Sequence, residues 1–105
     1  MTYEVVFAPA ARADLLRLYG YILDRAETVE DLDLAERALL AIETAVDVHL
    51  SQTPFIYRKA GGGNSLRREL IIPFGATGYV ALYEIAHPGK VVVLAVRHQR
   101  EEDYH

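Results

Sequence analysis

The chain has 105 residues, no cysteine and a net charge of −4, which describes one domain with a small core and excludes a disulfide framework or thiolate chemistry. Half of it is apolar (51%) and a quarter charged (25%), a globular balance rather than a disordered one. No apolar run approaches the roughly 20 residues that span a bilayer, and the first residues lack the basic-then-apolar pattern of a secretion signal. The expectation is a cytoplasmic protein with no membrane contact.

Charge is unevenly spread. Residues 1–53 carry ten acids against four Lys/Arg, or −6, whereas residues 54–105 carry seven Lys/Arg against five acids, or +2. Three of those five are the consecutive Glu101, Glu102 and Asp103. Any anionic partner therefore belongs to the second half, and the field is weak for a protein living by phosphate contacts.

In chain order, residues 2–7 (TYEVVF) are rich in β-formers and predict a first strand. Pro9 suits the first turn of a helix. From there Ala11, Leu15, Leu18 and Ile22 recur at helical spacing, one apolar face running to about Arg25. Gly20 weakens this helix and suggests close packing against a neighbour. A second helix is predicted by Ala35, Leu39, Ile42, Val46 and Leu50, with Thr28 or Asp31 as its N-cap. The two make a hairpin over residues 9–51.

The stretch SQTPFIYRKAGGGNS is a loop by its proline, three glycines and Asn-Ser ending. It lacks the lysine and hydroxyl of a phosphate loop. Three strands follow over residues 66–98: LRRELIIPF, GYVALYEIA and KVVVLAVRH, joined through GATG and HPGK. Simple alternation puts Tyr79, Ala81, Tyr83 and Ile85 on one face of the middle strand. In the last strand it sets Val91, Val93, Ala95 and Arg97 opposite Val92, Leu94, Val96 and His98. That strand is apolar on both faces and is expected in the centre of the sheet, followed by a tail over 99–105. The fold class is α+β: a single domain, with a helical hairpin on an antiparallel-leaning sheet of about four strands, in the order β-α-α-β-β-β.

Several residues have functional chemistry. Arg67, Arg68, Tyr79, Tyr83, Arg97, His98 and Arg100 can grip a polypeptide, and His98 with Arg97 and Arg67 can serve proton transfer at a phosphate. The same residues equally suit ordinary work: capping a sheet end, pairing with Glu69 or Glu84, or packing at a core rim. His49, His87, His98 and His105 have no metal-ligand spacing. No cofactor motif appears, so no cofactor or metal is expected.

The blocks FAPAARADLLRLYGYI, LRRELIIPFGATGYVALYEI and VVVLAVRHQRE, in this order, resemble the ParE/RelE superfamily of bacterial toxin–antitoxin modules. Phe7, Pro9, Ala11, Asp14 and Leu15 anchor the first block; Arg67, Tyr79, Tyr83 and the His-Gln-Arg ending anchor the last two. The resemblance implies a type II toxin held by a ParD-like antitoxin, whose disordered segment folds along the toxin as helix and strand. RelE-like members cleave messenger RNA in the ribosome; ParE-like members act on DNA gyrase. Net acidity, the acids after residue 100 and the long hairpin favour gyrase inhibition through a shaped contact, with no catalysed reaction. Sequence-specific nucleic-acid binding is not expected. The acidic 101–103 run departs from ParE-like chains, which are usually more basic there. Ribosome-dependent RNA cleavage and a non-toxic antitoxin-binding homologue remain the alternatives.

Overall fold

The helices form where the periodicity puts them. In the computed structural model, which describes residues 2–63, 66–86 and 88–104, helix α1 spans Pro9–Asp24 and α2 spans Val29–Gln52. Pro9 occupies the first turn of α1, behind an extended Ala8, where its missing N–H costs nothing. Thr28 is the N-cap of α2: its hydroxyl accepts from Asp31 N (3.1 Å), while the Asp31 carboxylate accepts from Glu27 N (3.0 Å). Thr28 thus satisfies one donor that the first turn leaves free, and Asp31 ties down the amide just before the cap. The buried stripes are Ala11, Asp14 and Leu18 on α1, and Ala35, Ala38, Ile42, Val46 and Leu50 on α2. They match the expected faces, with Ala38 taking the place expected for Leu39. Gly20 does not mark close packing, since an added Cβ there meets nothing within 4 Å.

Five strands follow one another in space as β1-β5-β4-β3-β2. They are β1 (Glu4–Phe7), β2 (Arg58–Lys59), β3 (Arg67–Phe74), β4 (Thr77–Ala86) and β5 (Lys90–His98). β1 runs parallel to β5, and the remaining pairs are antiparallel. The stretch read as pure loop thus holds a two-residue strand, Arg58 and Lys59 facing Glu69 and Arg68. β4, not β5, is the central strand, and β5 lies between β4 and β1. Gly75 turns the chain from β3 to β4 at φ +60°, a conformation that favours glycine. Asn64, Ser65 and His87, within the expected loop and the HPGK turn, lie outside the described residues, as do Met1 and His105.

Both helices pack on one face of the sheet. Between them lies the core, made by Ala11, Leu18, Ile42, Val46 and Leu50 from the helices and Leu70, Ile72, Tyr79, Tyr83, Val91, Val93 and Val96 from the sheet. At β4, the fit is closest at Gly78, where any Cβ would lie 2.2 Å from the Ile72 carbonyl oxygen. No helix among the described residues is long and apolar enough to cross a membrane.

One irregularity decides where the functional side chains go. Tyr83 faces Val93 but Leu82 faces Ala95, so Leu94 is the extra residue of a β-bulge. Simple alternation fails from there on. Val91, Val93, Val96 and His98 share the helix face, while Val92, Ala95 and Arg97 share the other, because cross-strand partners lie on one side.

Candidate functional site

The seven candidate residues do not form one cluster. Arg67 and Arg97 stand on the open face, away from the helices. Arg67 Nε donates to the Glu84 carboxylate across the strand pair (3.0 Å). Arg97 lies 4.0 Å from the Glu69 carboxylate and donates to the Glu101 carbonyl at 2.6 Å. Arg58 also bonds Glu69, through Nε at 2.8 Å. Three guanidinium groups are thereby tied to two carboxylates and to three backbone oxygens, those of His98, Gln99 and Glu101.

Arg68 and Tyr83 share the helix face, at the end nearer residues 54–57. Tyr83 is fully buried, and its hydroxyl donates to the Pro54 carbonyl at 2.6 Å. Burial pushes that hydroxyl far above its ordinary range. The Arg68 guanidinium donates to the carbonyls of Phe55 and Tyr57, both at 2.9 Å. These two residues hold the segment before β2 onto the sheet. Of the two roles the sequence allows, gripping a polypeptide or packing at the core, Tyr83 has the second. Tyr79 is nearly as buried, at 5% exposure.

Tyr79, His98 and Arg100 meet at the other end of the helix face. The rings of Tyr79 and His98 pack edge to face, 5.4 Å apart. Arg100 N donates to His98 Nδ1 (3.1 Å), and Nε2 lies 3.0 Å from the Thr77 hydroxyl. With Nδ1 accepting, the network assigns the ring proton to Nε2, which donates to Thr77. Both ring nitrogens are thus occupied.

His98 borders a groove of about 500 Å³ between α1, the start of α2 and the β3–β4 turn. Its apolar floor includes Leu18, Ile22, Leu34, Phe74 and Tyr79, and its polar edge includes Arg17, Arg100 and Glu101. The sequence reading did not single out Arg17. It donates to both Glu101 carboxylate oxygens (3.1 and 3.2 Å) and to the Val96 carbonyl (3.3 Å). Beside it Asp14, 4% exposed, accepts from Val96 N at 2.8 Å. Glu101 Oε1 accepts from His98 N at 2.9 Å. β1 pairs only as far as Val93, so these side chains satisfy the backbone of β5 where no strand covers it. The signal was present as Asp14 and Arg17, one helical turn apart on a face that is otherwise apolar.

A family model described as ParE toxin of type II toxin–antitoxin system, parDE, matches residues 5–103. The chain belongs to that family. It is 32% identical over 101 residues to Toxin RelE3 of Caulobacter vibrioides, covering 93% of this chain and 96% of the relative. Among solved structures, its fold is similar to a chain of the chromosomal ParDE system from P. aeruginosa (TM-score 0.70, 15% identity, 92% and 96% covered). It is also similar to a chain of the RelBE2 toxin–antitoxin complex from Mycobacterium tuberculosis (TM-score 0.66, 24% identity, 96% and 95% covered). This is a type II toxin of the ParE/RelE superfamily, with the two helices and mixed sheet of those neighbours. In the ParE-family chain the helix face carries the groove, and the open face carries the arginine–glutamate lattice.

Proposed function

We propose that this ParE-family toxin acts on DNA gyrase by contact alone and is neutralised by a ParD-like antitoxin. What supports contact over chemistry is the dispersal of the acid–base set. His98 faces the groove with both ring nitrogens bonded, while Arg67 and Arg97 sit on the opposite face, tied to Glu84 and to Glu101 and Glu69. Cleaving RNA through its 2′-hydroxyl needs a base, an acid and cations within reach of one phosphate. A gyrase poison needs only a shaped surface.

The groove suits the antitoxin. Its apolar floor fits the apolar stripe of an amphipathic segment, and Arg100 at its edge favours an acidic side chain, Arg17 being already paired with Glu101. The decisive experiment incubates the purified toxin with gyrase, ATP and supercoiled plasmid. Trapped cleavage complexes, seen as linear DNA after detergent and protease, are expected. Normal supercoiling with no linear product at excess toxin would overturn the gyrase reading.

The name of the Caulobacter relative favours a second reading, ribosome-dependent cleavage of messenger RNA. It predicts codon-specific cuts in a translation extract that disappear in His98→Ala.

A further inference from the structure

The side of the sheet without helices is nevertheless partly closed. Val80 and Ala95 lie on it with only 2% and 7% of their surface exposed. Arg97 and Glu69 flank them on β5 and β3, with side chains 13% and 15% exposed. Arg97 and Glu69 reach toward each other across β4, 4.0 Å apart, and the chain that follows β5 sits against both. The Tyr104 hydroxyl donates to Glu69 Oε2 at 2.5 Å, and the Arg97 guanidinium lies 5.1 Å from the centre of the Tyr104 ring. β4 runs between Arg97 and Glu69, so a ring that touches both lies above β4, over Val80 and Leu82.

The segment is held unequally along its length. Its root is fixed by Glu101, which bonds Arg17 and His98 N, and by the Arg97 bond to the Glu101 carbonyl. Glu102 and Asp103 are exposed. The tip is held through Tyr104, by one hydroxyl–carboxylate bond and one cation–π contact. Burial, and then the bond to Glu69, push the Tyr104 hydroxyl above its ordinary range.

We propose that residues 99–104 form a strap that masks a protein-binding surface on the open face of the sheet, and that lifting Tyr104 uncovers it. The uncovered surface has an apolar centre of Ile71, Val80, Leu82 and Ala95, rimmed by three arginines, Arg58, Arg67 and Arg97, and two acids, Glu69 and Glu84. An apolar centre within an arginine-rich rim is the composition of a protein interface. The occupant is the target of the toxin, so the inference rests on action by contact. The closed strap lowers apparent affinity by the fraction of molecules that are open. Glu102 and Asp103 further offset the positive rim while the strap is down.

The test compares wild type, Tyr104→Phe and Tyr104→Ala in growth arrest of cells expressing the full chain without antitoxin, and in the gyrase assay. Exchange of the Arg97 Nε proton, followed by NMR, reports the strap, and the dispersion of the backbone amide spectrum shows that each variant is folded. Tyr104→Phe keeps the ring over Arg97 and loses only the donor. The expected order of potency is Tyr104→Ala, then Tyr104→Phe, then wild type, with at least about a threefold gain for alanine and faster Arg97 exchange in the same order. Equal or lower potency of Tyr104→Ala overturns the strap, whether or not gyrase is inhibited. Unaffected gyrase with the growth order preserved keeps the strap and rejects gyrase as the target. Gyrase inhibited equally by all three does the reverse.

Discussion

Tyr83 and Glu84 are neighbours in β4 and inhabit different chemistries. Tyr83 points into the helix-side core and is fully buried. Glu84 points to the open face, its side chain 34% exposed, and pairs with Arg67. The helix face is held by packing, which is non-negotiable in shape. The open face is held by an ionic lattice that water can partly replace. Difference in function follows from difference in tolerance: a surface that gains little from its own pairs can exchange them for those of a partner.

The strongest way to break this contrast is Tyr83→Ala. Removing the buried ring leaves a cavity and frees the Pro54 carbonyl, so a loss of about 3–5 kcal/mol is expected in denaturant unfolding. Tyr83→Phe isolates the hydroxyl, and should cost about 1–2 kcal/mol through the unpaired carbonyl. A loss below about 1 kcal/mol for alanine would mean that the core tolerates what the helix face is said to forbid.

A second substitution probes the seam between the faces. Asp14 is the one buried charged residue among those described, and it serves Val96 N where β1 has ended. Asp14→Ala strands that amide, at a cost of about 1–3 kcal/mol. Asp14→Asn keeps an acceptor and should recover part of the loss. If the two variants melt together, the backbone bond is not what Asp14 contributes.

The elements were legible in the sequence because their signals are local. Pro9 and Thr28 start the helices, and the 3.6-residue recurrence of Ala35, Ile42, Val46 and Leu50 sets the buried stripe. The candidate site was not, and Leu94 shows why. The bulge has no glycine or asparagine to announce it; it arises from pairing with β4 and moves His98 and Arg97 to faces opposite those that alternation assigns. β2 escaped notice because two residues, Arg58 and Lys59, carry no periodicity. Arg17 and Glu101 are 84 positions apart, so their union at the groove depends wholly on the tertiary fold.

The mildest effect is expected on the open face itself. Arg67 and Glu84 meet at 3.0 Å, but their side chains are 49% and 34% exposed, so water screens the attraction and competes for both groups. Glu84→Ala should therefore change stability by no more than about 0.5 kcal/mol, less still in high salt. Arg67→Ala should behave alike, and the double variant should show almost no coupling energy. A coupling above about 1 kcal/mol would make the lattice a structural element instead of an exchangeable surface. The pair would then be too costly to give up to a partner, and the open face would have to bind with its own contacts intact.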